Sequence, residues 1–168
     1  MNRDQVYQAL AGGPSREHWG RVVGHAASNL GNSAIVAFTI HGLERTKPVW
    51  LPFAKEGDVV SRVRAAVSSS AILSNEELDD LQYELVKGMD EYPVDAIVQV
   101  LDLYQRLLLF SQYIRLPVPA AHVRDPDPDG VELAEYAATL LINLQPSPET
   151  ASRELEVQKQ WLLTRLGG

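Results

Sequence analysis

The sequence predicts an all-α protein, a single-domain bundle of about six or seven helices. In most segments the apolar residues recur at helical spacing, and short stretches rich in Gly, Pro, Ser and Asp separate the segments. The most apolar segment, residues 92–116, is expected to form the central helix of the bundle. A chain of 168 residues has the length of one domain, so we assign residues 1–168 to a single helical domain.

Two helices are predicted at the start of the chain. Residues 3–11 form a short helix that ends at a Gly-Gly-Pro sequence. Ser15 is placed to cap the second helix, because a serine hydroxyl accepts a hydrogen bond from a free backbone N–H of the first turn. Gly31 is placed to end this helix.

The next segment, residues 32–45, is compatible with two structures. Its Ile, Val, Phe and Thr residues favour a strand, which could pair with the following residues as a short β-hairpin over residues 34–53. The same segment keeps helical spacing at Val36, Ile40 and Leu43, and an isolated two-stranded hairpin is only marginally stable. We therefore predict a helix, with the hairpin as the alternative.

The later helices have clear start signals. A valine-rich helix is followed by Ser74 and Glu77, which have the spacing of a capping box. Residues 117–130 form a surface loop rich in Pro and Asp, and a further amphipathic helix follows it. Ser147 is placed to cap the last helix, with Pro148 at the first helical position.

The central helix carries one narrow polar stripe. Its members are Asp95, Gln99, Asp102 and Arg106. The following turn, residues 107–110, has no polar side chain and must be covered on all sides, either by its own domain or by a second chain. Because several other amphipathic helices are available to surround it, we expect burial within the monomer.

Composition excludes several classes of function. The chain has no cysteine, which rules out disulfides and thiolate metal sites. Its net charge of -7 and its scattered basic residues argue against nucleic acid as a ligand, and are compatible with a basic protein partner. The first residues lack the apolar core of a secretory signal, and no apolar run approaches the ~20 residues of a membrane span. We expect a soluble cytoplasmic protein.

The Asp-Pro-Asp-Pro-Asp-Gly sequence at residues 125–130 resembles the first half of an EF-hand calcium loop. Oxygen-bearing side chains stand at positions one, three and five, and glycine stands at position six. The twelfth position, which needs a bidentate Glu, is Tyr136. A helix cap explains the segment better, with Asp129 as the capping residue and Glu132 completing a capping box.

Two acidic pairs have the spacing of a metal site on helices. They are Glu77 with Asp80, and Glu132 with Glu135. Carboxylates on two neighbouring helices can hold magnesium against the phosphates of a nucleotide. The all-α nucleoside triphosphate pyrophosphohydrolases are similar, because they pair a Glu-x-x-Glu helix with a Glu-x-x-Asp helix, although here the order is reversed. The resemblance implies magnesium-dependent nucleotide hydrolysis as an alternative function.

The histidines do not indicate catalysis. They are dispersed and show no zinc-binding spacing. Arg115 and His122 have the Arg-x6-His spacing of some all-α RNA-cleaving domains, but two prolines lie between them. We predict no catalytic residue and no cofactor.

Protein–protein binding is the function that the sequence favours. Tryptophan and its aromatic neighbours often form the energetic centre of an interface, and three residues are candidates for partner contact: Trp50, Phe53 and Trp161. We therefore expect a small acidic protein that binds another protein as a regulatory, adaptor, immunity-type or inhibitor-type factor, with a homodimer as a second form of association. The magnesium-dependent hydrolase is the alternative.

Overall fold

The computed structural model describes residues 1–50, 57–69, 72–91, 95–116 and 125–167, and it confirms the all-α single domain. The described residues form eight α-helices, one or two more than predicted, and one short 3-10 turn at Arg16–His18. The helices are α1 (Arg3–Ala11), α2 (Trp19–Leu30), α3 (Asn32–Trp50), α4 (Gly57–Ser68), α5 (Asn75–Glu91), α6 (Asp95–Tyr113), α7 (Pro128–Asn143) and α8 (Pro148–Gly167).

Two helices share the centre of the bundle. Helix α6 packs against α3, α4, α5 and α7, and helix α7 packs against α2, α3, α6 and α8. The predicted central segment, residues 92–116, therefore contains one of the two central helices, with residues 92–94 outside the described part. Ten residues of α6 are buried, which explains why the segment is so apolar.

The hairpin alternative over residues 34–53 is wrong where the structure describes it, because Asn32–Trp50 is one continuous helix. Residues 51–53 lie outside the described residues. The buried residues of this helix include Ile35, Thr39, Leu43 and Thr46, which lie three or four positions apart on one face. The hydroxyls of Thr39 and Thr46 each donate a hydrogen bond to a carbonyl of their own helix. These two threonines are therefore buried without an unpaired hydroxyl.

The predicted helix signals at Gly31, at Ser74 with Glu77 and at Ser147 are confirmed. Gly31 ends α2 with φ at 92°, and its N–H donates to the carbonyl of Ala27 at 3.1 Å. At the start of α5, the Glu77 N–H donates to Ser74 Oγ at 3.1 Å while the Ser74 N–H donates to Glu77 Oε1 at 3.3 Å. Ser147 Oγ accepts from the N–H of Thr150 at 3.2 Å at the start of α8.

The prediction for Ser15 is wrong. Its side chain makes no capping hydrogen bond, and the 3-10 turn separates it from α2, which begins at Trp19. The indole of Trp19 is 1% exposed and donates to the buried Gln158 Oε1 at 2.7 Å. Burial of this large side chain against α8 fixes where α2 begins, and a local cap preference is too weak to oppose it.

The turn of α6 at residues 107–110 differs from the prediction of burial on all sides. Leu107, Leu108 and Phe110 are buried, but Leu109 is 39% exposed. Leu109 lies on the same face as the polar stripe, three residues after Arg106. The exposed face of α6 is therefore polar in its first half and becomes apolar from Leu109 onward.

Candidate functional site

The four carboxylates of the predicted magnesium site do not form a metal centre. Glu77 and Asp80 are exposed on α5, and Glu77 serves in the capping box of that helix. Glu132 and Glu135 lie on α7, where Glu135 packs against Gly24 of α2. Within the described ranges, no three Asp, Glu or His side chains lie close enough to hold a metal ion. The geometry gives the hydrolase alternative no carboxylate cluster.

The Asp-rich loop before α7 joins the starts of two helices. The capping residue of α7 is Asp127, which accepts from the Asp129 N–H at 2.8 Å, so the prediction that Asp129 forms the cap is wrong. Asp125 Oδ1 accepts from the N–H of Asn32, and Asn32 Oδ1 accepts from the N–H of Asp127, both at 2.8 Å. Proline at the first helical position moves the cap to Asp127. The first two loop carboxylates thus bind backbone N–H groups.

The Arg115 side chain has a structural role. It donates to the carbonyls of Ala66 and Val67 near the end of α4, the former at 2.9 Å. A guanidinium at this position satisfies carbonyls that have no partner within the helix and interacts favourably with the helix dipole. His122, the other member of the predicted pair, lies outside the described residues.

Among the predicted partner-binding residues, Trp50 lies in the core. It is 1% exposed, its ring meets Tyr104 edge-on at a centroid distance of 5.7 Å, and its indole N–H donates to Thr46 Oγ1 at 3.3 Å. From this position its ring offers no surface to another protein. Phe53 falls outside the part of the chain that the structure describes.

Trp161 is half-buried on α8 and contacts its own chain on both sides. The edge-on ring of Phe38 lies 5.5 Å away between centroids. The Arg165 guanidinium carbon lies 3.6 Å from the centroid of the Trp161 ring, which is a cation–π contact. The Arg165 guanidinium therefore covers one face of the half-buried ring.

A groove of about 360 Å³ lies between α6 and α7, and we call it the α6–α7 groove. It is lined by Arg106, Leu109, Phe110, Tyr113, Asp129, Glu132 and Leu133. Phe110 and Leu133 are almost completely buried and form its floor, whereas Leu109 and Tyr113 are 39% and 40% exposed. The groove therefore has an apolar floor and an apolar side that water still reaches.

Gly130 explains why the two helices lie so close at the groove. A Cβ atom at this position would lie 2.5 Å from Phe110 Cζ, so the ring would have to move, and 3.2 Å from Ile35 Cδ1, which is a tight contact. The absence of a side chain allows the first turn of α7 to rest on the edge of the Phe110 ring. This contact places Asp129 and Glu132 at the rim.

Among the described residues that line the groove, carboxylates outnumber cations. Arg106 Nε lies 2.9 Å from Asp102 Oδ2, and its guanidinium lies 4.9 Å from the centre of the Tyr136 ring. Burial raises the pKa of Tyr136, the Asp102 carboxylate raises it further, and Arg106 opposes the rise. Neither Asp129 nor Glu132 forms an ion pair with another described residue. Because Arg106 is paired with Asp102, the groove has an excess of two negative charges, those of Asp129 and Glu132.

Sequence reasoning missed the apolar continuation of the α6 stripe, which consists of Leu109, Tyr113 and Leu116. The signal was present, because these residues extend the Asp95, Gln99, Asp102 and Arg106 series by the same steps of three and four. Because the whole turn is apolar, residue type alone does not distinguish Leu109 from its buried neighbours. The exposed face of a helix can be followed by spacing even where its residues change from polar to apolar.

The most deeply buried tyrosine, Tyr104, lies away from the groove. It is 0% exposed and packs against Trp50, and its hydroxyl has no hydrogen-bond partner within the described part of the chain. Burial raises its pKa well above the ordinary range, and the nearby Glu44 carboxylate adds to the rise, while Arg64 opposes it. An unpaired hydroxyl in an apolar environment destabilises the fold.

We expect Tyr104→Phe to raise the free energy of unfolding by about 1 kcal/mol, because it removes this hydroxyl and keeps the ring. A pKa raised in the folded state means that stability is complete below the ordinary tyrosine pKa of about 10 and is lost as pH rises above it. The variant should therefore also lose less stability than wild type above pH ~10. Urea unfolding measures both effects, with Tyr83→Phe, at a 70% exposed side chain, as the unchanged control. A destabilised Tyr104→Phe protein would contradict the assignment.

Comparison of the chain with family models, with curated proteins and with solved structures finds no match. Among the described residues, no helix combines the length and the apolar character needed to cross a membrane.

Proposed function

We propose that this chain is a non-catalytic binding protein whose α6–α7 groove holds a segment of another protein, in a regulatory, adaptor or inhibitor-type role in the cytoplasm. The observation that carries the proposal is the exposure of three large apolar side chains close together in the sequence, two of which line the groove. Leu109 and Tyr113 lie on the outer face of α6 and are 39% and 40% exposed, and Leu116, three residues after the end of the helix, is 43% exposed. A continuous exposed apolar patch with a polar rim is typical of an interaction surface.

The shape of the surface favours a polypeptide over a small molecule. The groove volume of about 360 Å³ is near the lower end of the range for small-molecule pockets. The apolar stripe runs about 6 Å along the helix axis from Leu109 to Tyr113, and Leu116 follows just after the end of the helix. A chain that lies along the stripe would cover both the groove and Leu116, which a compact ligand in the groove alone would leave exposed.

Site-specific photocrosslinking in cells of the source organism tests the proposal. A benzoylphenylalanine residue replaces Leu109 in one variant and, as the matched control, the 42% exposed Val157 on α8 in another. We expect a discrete heavier adduct from position 109 that position 157 does not give. Adding Leu116→Asp to the first variant should lower the adduct yield about tenfold, since a charge then replaces an apolar contact.

The control variants separate binding from folding. Leu116→Asp should leave the melting temperature almost unchanged, because its side chain is already 43% exposed. If positions 109 and 157 give the same adducts, or if Leu116→Asp leaves the yield at position 109 unchanged, the groove is not a binding surface.

A further inference from the structure

We infer that the occupant of the α6–α7 groove is a basic, apolar protein segment, with at least one large apolar side chain over Phe110 and Leu133 and a Lys or Arg beside Glu132. This inference rests on the proposed function, and it adds the chemistry of the partner. The floor of the groove requires the apolar part, because only an apolar side chain gains by displacing water from Phe110 and Leu133.

The basic part follows from the charges at the rim. Arg106 is engaged by Asp102 at 2.9 Å, whereas Asp129 and Glu132 have no cationic partner among the described residues. The chain as a whole carries a net charge of -7, so the long-range field also attracts a cation and repels an acidic segment. Charge complementarity at the rim therefore selects a partner that brings Lys or Arg.

The two rim carboxylates differ in their surroundings. Asp129 lies in the first turn of α7, where the positive end of the helix dipole offsets part of its charge. Glu132 lies nearly one turn further along, beyond the first turn, and also lines a second depression of about 500 Å³ together with Arg21 of α2 and Glu135. We expect Glu132 to contribute more than Asp129 to the attraction of a basic segment.

A second copy of this chain is a poorer occupant. Across a two-fold axis the same patch meets itself, so Asp129 and Glu132 of one copy would face a surface that carries the same two carboxylates. Among the described residues that line the groove, Arg106 is the one arginine, and it already pairs with Asp102. Two chains of net charge -7 also repel each other before contact.

A random peptide display library, selected on the wild-type chain and counter-selected on Leu109→Asp, tests the inference. We expect the enriched peptides to combine large apolar residues with Lys or Arg. The strongest peptide, labelled with a fluorophore, is then titrated with the wild type, Glu132→Lys, Asp129→Lys and the control Glu156→Lys, which makes the same charge change at an exposed site on α8.

We expect Glu132→Lys to weaken binding about fivefold or more, Asp129→Lys to weaken it less, and Glu156→Lys to leave it nearly unchanged. The effect of Glu132→Lys should shrink in high salt, because the interaction is exposed to solvent. A peptide whose Lys and Arg residues are replaced by Glu should bind Glu132→Lys more tightly than it binds the wild type.

Three results would overturn the inference. Peptides without a basic excess whose binding is unchanged in Glu132→Lys would show that the partner chemistry is wrong, although the groove still binds proteins. The absence of peptides that distinguish wild type from Leu109→Asp would refute the proposed function itself. A dimer in sedimentation analysis that Leu109→Asp dissociates would identify a second copy of the chain as the occupant.

Discussion

Replacing Glu154 with alanine is expected to lower the free energy of unfolding by about 3 kcal/mol, because it leaves the Arg45 guanidinium without its partner in a mostly buried position. For a chain of this size, this loss corresponds to a decrease in melting temperature of roughly 6–12 °C. This loss of unfolding free energy is at the lower end of the range for a broken buried ion pair, because the Arg45 side chain is 30% exposed and water can solvate part of it.

The loss extends beyond one ion pair, because Glu154 connects several helices. Arg45 of α3 contacts both carboxylate oxygens, with Nε at 3.0 Å from Oε2. Gln158 Nε2 donates to Glu154 Oε1 at 3.0 Å and to the carbonyl of Ala138 on α7, and Gln158 Oε1 accepts from Trp19 on α2. Alanine at position 154 removes both carboxylate acceptors from this chain of hydrogen bonds and weakens the contact of α8 with three helices.

Thermal unfolding followed by circular dichroism measures the effect, with Glu156→Ala as the control. Glu156 lies on the same helix and contacts Lys159 and Gln160, but its side chain is 53% exposed, so its replacement should not shift the melting temperature measurably. Glu154→Gln, which keeps the shape and loses the charge, should fall between alanine and wild type. Equal melting temperatures for Glu154→Ala and Glu156→Ala would show that the buried network does not stabilise the fold.

Local patterns predicted the elements of this fold well. The capping pair Ser74 and Glu77 and the stop signal at Gly31 depend on residues within one or two turns, so the sequence contains the whole interaction. Helix α3 was more difficult, since its β-branched residues favour a strand by type. Its helical spacing was the better guide, because the burial of one face against other helices determines the structure.

Contacts between distant residues were not predictable. The Asp127 N–H pairs with Asn32, which is 95 residues away, and this contact, together with Pro128, makes Asp127 the cap of α7 in place of Asp129. Trp19 and Gln158 are 139 residues apart, and nothing near Trp19 indicates that an amide will reach its indole. Only the folded arrangement of the helices brings these groups together.

The candidate site combines both kinds of information. The exposed stripe of α6 could have been followed by spacing from Arg106 to Leu109 and Tyr113. The groove beside it could not, because it requires α7 to lie against Phe110, which depends on the missing side chain of Gly130. The spacing within one helix therefore predicts which residues are exposed. The surface that they form can be described only when the packing of the helices against one another is known.

Trp50→Ala is expected to lower the free energy of unfolding by about 3–5 kcal/mol, because a large ring that is 1% exposed leaves a cavity beside Tyr104. This result would assign Trp50 to the core rather than to a partner surface, since the loss occurs in the isolated chain. Urea unfolding measures it, with Trp161→Ala as the matched change at a half-buried tryptophan, for which we expect a smaller loss. If Trp50→Ala leaves the stability of the isolated chain unchanged, the ring does not belong to the core, and the sequence-based prediction of a partner contact at Trp50 regains its basis.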